Sequence, residues 1–324
     1  MKTPVLFLIF NRPEETERVF QVIREIAPKY LYISADGPRA GKQGEEELCQ
    51  RVRDIVRNVD WPCNVKTIFR EKNSGCKKAV SDAINWFFAQ EEQGIILEDD
   101  CLPDPSFFPY CEQLLEKYKN DESIISISGT NLGYQFPNDS SYGFSKFMNM
   151  WGWATWRRSA ILVDYEMKEW KRKTFKSLFL HNKLQKNVLY LDYNWVKFWK
   201  NYFNLTASGE LDTWDYQWIY VQLKNNLRSI FPAKNLIQNI GFNRNATHTI
   251  NSNDTIGKLA LESMNSPITD PENYSNNLFY EENYIKRVWF PYQKDSIYRI
   301  LRSKFLNNAN VAKVINQLKG KNGI

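Results

Sequence analysis

Short apolar runs alternate with amphipathic stretches over the first 130 positions of this chain. Val5–Phe10 is apolar throughout. Pro13 to about Ala27 repeats apolar positions at helical spacing, with proline in the first turn. Leu31–Ser34 reads as a second strand closed by Ala35-Asp36-Gly37-Pro38, Glu45–Asn58 as a helix and Asn64–Phe69 as a third strand. Asn73-Ser74-Gly75 opens a helix to about Gln90, and Gly94–Leu97 is a fourth strand. A helix from Phe107 to Lys119 and a strand from Ile124 to Ser128 follow, the strand ending at Gly129-Thr130-Asn131. Continuous apolar strands separated by helices predict an α/β fold, a mostly parallel sheet covered on both faces.

Beyond residue 131 the pattern is less regular. Met148–Arg157 is dense in tryptophan, and Ala160–Phe203 is helical and polar-aromatic with no clear linker. Leu211–Trp218 reads as a helix start in which Asp212 can cap and Asp215 occupies the third position of the first turn. Phe242–Thr249 is a turn-rich loop. After about Asn251 the chain becomes rich in Asn, Ser and Asp, then basic and amphipathic from Ser296 to Lys319. The expected division is a main domain over 1–250, with halves at 1–130 and 131–250, and a basic helical extension over 251–324.

The fourth strand delivers Glu98-Asp99-Asp100 at its carboxyl end, where open α/β sheets place their ligands. Three adjacent carboxylates repel unless a proton or a cation relieves them, so the triplet predicts a divalent metal site; a solvated acidic turn is the plainer alternative. Hard oxygen ligands suit Mg²⁺ or Mn²⁺, which keep waters and take diphosphate oxygens at the same time. The other strand ends carry Asn11-Arg12, Asp36 and Thr130-Asn131, which a doubly wound sheet would bring to one rim. Arg12 can fork onto a phosphate, and Asp36 can accept from a base or ribose. Gly75 with Lys77 and Lys78 puts cations at a helix N-terminus, which favours phosphate, although both lysines also fit a solvated helix face.

Composition narrows the chemistry. A net charge of +6 over 324 residues suits an anionic small partner and does not argue for nucleic acid. Five scattered cysteines without CxxC spacing fit reduced thiols in a cytoplasmic setting. Two histidines exclude a histidine-rich metal centre. The short run before Asn11-Arg12-Pro13 lacks a small-residue cleavage site and reads as a buried strand rather than a leader. No apolar run reaches transmembrane length.

The succession FNRPE, ADGP, ILEDDCLPDPSFF, WGWATW, TWDYQW and GFNRNATHT resembles GT-A-fold nucleotide-sugar glycosyltransferases, in particular N-acetylglucosaminyltransferase I and its bacterial relatives, over roughly residues 4–250. The resemblance implies a Rossmann-like sheet and inverting transfer of a sugar, UDP-linked and of the UDP-GlcNAc kind, to a glycan or lipid-linked glycan in surface polysaccharide assembly. It implies Asp100 as direct metal ligand, Asp99 on ribose and metal-bound water, Glu98 on the donor sugar, Arg12 on the diphosphate and Asp36 on uracil. Lys78 and Trp214 join the donor site. Asp215 falls where the family places its catalytic base, with a helix cap as its structural alternative, and His248 becomes a late ligand to metal or diphosphate or else a surface histidine. Trp151, Trp153, Trp156 and Trp214 either stack on sugar or fill the core. The basic tail either docks on the domain or lies on an anionic membrane. Two other functions fit the same fold class, a sugar nucleotidylyltransferase and a non-catalytic nucleotide or carbohydrate binder. The former would carry a Gly-rich basic signature after the first strand, where this chain has Asn-Arg-Pro-Glu.

Overall fold

The computed structural model describes residues 1–171, 193–241 and 259–285. An α/β sheet of eight strands forms the frame in the order β3-β2-β1-β4-β8-β6-β9-β7. Its first half is parallel: β1 (Val5–Ile9), β2 (Tyr30–Ala35), β3 (Asn64–Phe69) and β4 (Gln93–Glu98) alternate with α1 (Pro13–Ile26), α2 (Glu45–Arg57) and α3 (Cys76–Phe88). The second half is mixed. β8 (Trp153–Trp156) lies antiparallel between β4 and β6 (Ile124–Ser128), while β9 (Arg228–Pro232) runs parallel to β6 and pairs antiparallel with β7 (Tyr142–Ser145). The Rossmann-like parallel half matches the expectation; β7 and β8 make the whole sheet more mixed than the apolar runs suggested.

β1 shows why these strands read as continuous apolar runs. Leu6 and Leu8 enter one core with Ala83, Phe87 and Trp218, while Val5, Phe7 and Ile9 enter the other with Phe20, Val52 and Leu114. Burial on both faces removes the need for polar alternation. Helices α1, α2 and α4 (Phe107–Lys117) cover the second core. Two short helices, α5 (Arg157–Ala160) and α6 (Lys168–Lys171), follow β8, and α3, α7 (Tyr193–Ser208) and α8 (Tyr216–Asn225) cover the first core.

One element was hidden in the sequence. Cys101–Pro103 forms a short strand, β5, paired antiparallel with β10 (Ile237–Asn239) in a separate two-stranded ribbon. Glu98 therefore ends β4, and Asp99 and Asp100 make the tight turn into β5.

Residues 259–285 run mostly without regular structure, first against the β5–β10 ribbon and the residues before α4 and then along the outer edge of the sheet, so this part of the expected helical extension is a strap. It forms a parallel bridge from Asn276 to Phe144 of edge strand β7. The Asn277 side chain caps a short helix, α9 (Leu278–Tyr280), accepting from Tyr280 N at 3.0 Å. The Tyr280 ring stacks on Phe231 at 3.8 Å, and buried Glu281 accepts the Lys146 N–H at 2.6 Å. The basic stretch 296–319 lies outside the described residues. Among the described residues no helix is long and apolar enough to cross a membrane.

The loop after β2 is held down by Glu45, the first residue of α2. Its buried carboxylate accepts from Asn11 Nδ2 at 2.9 Å, Arg39 N at 2.7 Å and Arg39 Nε at 3.0 Å. Arg39 holds the Glu45 carboxyl below its usual value of 4.5, outweighing burial. Stability from this group is present above the unfolded-chain value and lost as pH falls through the lower folded value. Glu45→Gln should therefore destabilise the protein at pH 7 by about 1 kcal/mol, a modest figure because Arg39 is partly exposed to screening water. The difference should close in urea titrations as the pH falls below the usual value of 4.5 and Glu45 takes up its proton.

Candidate active site

Strand register assembles the site. Ile9 pairs with Ala35 and Leu8 with Glu98, so the residues that follow β1, β2 and β4 emerge side by side at one carboxyl edge. Arg12 Nη1 reaches both acids of the turn, Asp99 Oδ1 at 3.0 Å and Asp100 Oδ2 at 2.5 Å. Asp99 Oδ2 accepts the Phe10 N–H at 3.1 Å, tying the turn to the end of β1 a second time. The β5–β10 ribbon closes the other side. Ile240 N donates to the Asp100 carbonyl at 2.8 Å, and a Cβ on Gly241 would fall 2.3 Å from Asp100 Oδ2. Gly241, the first residue of the GFNRNATHT segment, thus lies against Asp100, a contact the sequence did not assign and the pairing of β5 with β10 creates.

Electrostatics follow from burial. Asp99 is pushed up to about 7, chiefly by burial; Arg12 pulls it down and Asp100 adds to the rise. Glu98 is raised well above its ordinary value by burial, then by Asp100 and Asp99, against Arg12. Asp215 also contributes to that rise, which places its charge within reach of the triplet although it lies more than a hundred residues away in sequence. Arg12 is raised by Asp99, Asp100 and Glu98 despite a burial effect in the opposite direction.

Other expected site residues take clear structural positions. Asp36 accepts four hydrogen bonds: Gly37 N at 2.9 Å and Ser74 N at 3.0 Å on Oδ1, Ser74 N at 3.1 Å and Asn73 Nδ2 at 2.9 Å on Oδ2. A base contact there would add to, or displace, one of these. Burial raises the Asp36 carboxyl, with the Ser74 and Gly37 amides opposing. Lys78 pairs with Asp82 at 2.8 Å on the exposed flank of α3, and Lys77 with Glu166 at 2.7 Å.

The start of α8 corrects the sequence assignment. Asp215, not Asp212, is the N-cap, accepting Tyr216 N at 2.9 Å on Oδ1, which also receives the Thr213 hydroxyl. Asp212 turns instead to α3, where its carboxylate accepts Cys76 N at 3.0 Å and Lys77 N at 3.2 Å. These are the amides that the sequence offered to a phosphate, so an internal carboxylate already fills that helix terminus.

Thr130 and Asn131, also expected on the rim, are buried and structural. Thr130 Oγ1 donates to Asn235 Oδ1 at 2.8 Å, and Asn131 Nδ2 to the Tyr134 and Ala233 carbonyls. Trp153, Trp156 and Trp214 are core residues; Trp214 stacks on Trp153 at 5.9 Å, and Trp151 is half-buried. The cysteines are all free thiols. His248, with the whole loop 242–250, lies outside the described residues.

Among the described residues no three His, Cys, Asp or Glu groups converge as a metal cage. A small hard cation does not need one, since one or two carboxylates suffice when water and diphosphate supply the rest. Asp99 and Asp100 fit that requirement: both are carboxylates, and a cationic guanidinium already bridges them.

No protein-family model matches this sequence, and no curated protein matches it. Solved structures do show a likeness. A mannosyltransferase from Pyrobaculum calidifontis in complex with GDP-Man and Mn²⁺ is 13% identical over 48% of this chain and 45% of its own, with a TM-score of 0.33. A galactosyltransferase in complex with donor and acceptor sugar analogues is 9% identical over 70% of this chain and 72% of its own, with a TM-score of 0.34. The 4-diphosphocytidyl-2C-methyl-D-erythritol synthase of Anaerococcus prevotii is 10% identical over 55% and 83%, with a TM-score of 0.33. The chain spans less than half the length of the mannosyltransferase it matches. The likeness concerns the fold alone.

The raised Asp99 fixes a pH signature. A carboxyl whose folded value lies above its unfolded one contributes stability below the unfolded value, about 4, and loses it as pH rises through about 7. In chelator, the unfolding midpoint of the wild type should fall over that window relative to Asp99→Asn. Parallel profiles for the two proteins in chelator would contradict the assignment.

Proposed function

We propose that this protein is a metal-dependent glycosyltransferase that moves a sugar from a nucleotide diphosphate to a hydroxyl of a glycan acceptor with inversion. The observation that carries the proposal is the bridging of Asp99 and Asp100 by Arg12 at the carboxyl edge of the sheet. Carboxylates for a cation and a guanidinium for phosphate thus meet at one point, as binding of a metal–diphosphate requires. The donor best suited to the motif order is a UDP-sugar, with UDP-GlcNAc first to be tested and surface polysaccharide assembly as the setting.

In this reading Asp100, with Asp99 beside it, holds Mn²⁺ or Mg²⁺, and His248 adds a late ligand. The bound cation supplies charge neutralisation for the leaving diphosphate. Arg12 orients the diphosphate, Asp99 the ribose, Asp36 the uracil end and Glu98 the donor sugar; Trp214 and Lys78 border the donor site. Asp215 accepts the acceptor hydroxyl proton as that oxygen bonds to the anomeric carbon from the face opposite the diphosphate. The old carbon–oxygen bond breaks with its electron pair leaving on the β-phosphate oxygen.

Two substitutions separate these roles. Asp100→Ala should weaken Mn²⁺-dependent UDP binding at least about a hundredfold by calorimetry, since a ligand to a sparsely held ion is lost. Asp215→Asn keeps an equally good helix cap, so folding and UDP binding should persist while transfer falls by about 10²–10⁴-fold. Unchanged Mn²⁺-dependent UDP affinity in the first variant, or full transfer in the second, would remove the corresponding assignment.

A further inference from the structure

Asp212 belongs to the loop that leads into α8, yet its hydrogen bonds go to the first turn of α3, 136 residues earlier in the chain. Its two oxygens take one amide each, Cys76 N at 3.0 Å on Oδ2 and Lys77 N at 3.2 Å on Oδ1. A carboxylate is favoured there by the unpaired N–H groups and the partial positive charge of the helix start. Gly75 makes the approach possible: it sits at φ +83°, and a Cβ on it would lie 2.8 Å from Asp212 Oδ2. The preceding loop is held from the other side, where Asp36, at the end of β2, accepts Ser74 N and Asn73 Nδ2. The segment from Asn73 to Lys77 is therefore clamped between two carboxylates, one from each half of the molecule. A second tie, Lys77 Nζ to Glu166 Oε1 at 2.7 Å, joins the same turn to the 161–167 segment.

Asp212 and Asp215 lie three positions apart, and the residues between them leave little slack. The Thr213 hydroxyl donates to Asp215, which caps α8 through Tyr216 N. Trp214 stacks on Trp153 of β8. Cys76, the first residue of α3, is raised by burial and then by Glu98, Asp215, Asp212 and Asp36, so acids from three separate segments surround this one turn.

We propose that Asp212 is a positioning residue that sets Asp215 against the donor-binding half by clamping the first turn of α3. The proposal rests on the glycosyltransferase reading and on Asp215 as its base. It assigns to Asp212 a part in the rate of transfer and none in holding the donor.

The test uses the full chain, with UDP and Mn²⁺ as the binding probe and UDP release from a panel of UDP-sugars as the activity. Asp212→Ala should leave UDP–Mn²⁺ affinity within about twofold and donor KM nearly unchanged, while kcat falls on the order of 10- to 100-fold, the usual effect of a small misplacement at a reacting centre. Asp212→Asn, which keeps one acceptor oxygen, should recover much of the loss. Gly75→Ala, which pushes the carboxylate away from its own side of the contact, should reproduce it. Hydrogen exchange in Asp212→Ala should quicken at Cys76 and Lys77 and also at Tyr216. Wild-type kcat in Asp212→Ala, or faster exchange at Cys76 and Lys77 alone, would overturn the proposal and leave a plain helix cap. A wild type that binds UDP–Mn²⁺ but releases UDP from no sugar nucleotide would overturn the functional reading itself, and with it any catalytic role for Asp212.

Discussion

Burial of adjacent like charges is the constraint around which this molecule is arranged. Glu98, Asp99 and Asp100 leave a strand whose residues are covered on both faces, so water can screen them little. The chain answers with one guanidinium. Arg12 bridges Asp99 and Asp100, and Phe10 N takes the remaining Asp99 oxygen. Both partners come from the end of β1, so the parallel pairing of β1 with β4 is what makes the acidic turn tolerable. The neutralisation is incomplete, since Glu98 and Asp99 remain raised. Acids held above their ordinary values by burial and by one another are relieved by any further positive charge brought beside them.

The same logic recurs at the first turn of α3. Amides that a helix leaves unpaired are given to Asp212, and the loop before them to Asp36. Carboxylates here act as structural cross-links between segments far apart in sequence.

Legibility in the sequence followed the range of the interaction. β1, β2, β4 and their helices were readable because burial on two faces writes an unbroken apolar run, and Pro13 marks a helix start locally. The acidic triplet was readable because three carboxylates at the end of a buried run repel one another until a cation or a proton arrives. β5 and β10 were not, since three-residue strands carry no period and exist only by pairing with each other. Gly241 was lost with them. Asp212 was read as the cap of α8 because either spacing satisfies a local cap, and only the distant α3 terminus, which takes Asp212, leaves that place to Asp215. Thr130 and Asn131 looked like rim ligands because a strand-end polar residue reads the same whether its partner is a substrate or Asn235.

The aromatic content also changes meaning in three dimensions. Eleven tryptophans in a chain whose motifs resemble those of sugar transferases invite a stacking platform for sugar rings. Trp153, Trp214 and Trp218 instead pack on one another beneath the acidic edge, and Trp195 and Trp199 stack with Phe147 deeper in the same core. Large rings with few rotatable bonds lose little entropy on ordering, so they make a stiff floor. Trp214 and Trp218 flank Asp215, and Trp218 Nε1 is pinned to the Tyr165 hydroxyl at 3.1 Å. A carboxylate that must meet a reacting atom to within a fraction of an ångström gains more from such a floor than from one further ring exposed to a sugar. In this chain Trp153, Trp214 and Trp218 therefore stiffen the packing next to Asp215.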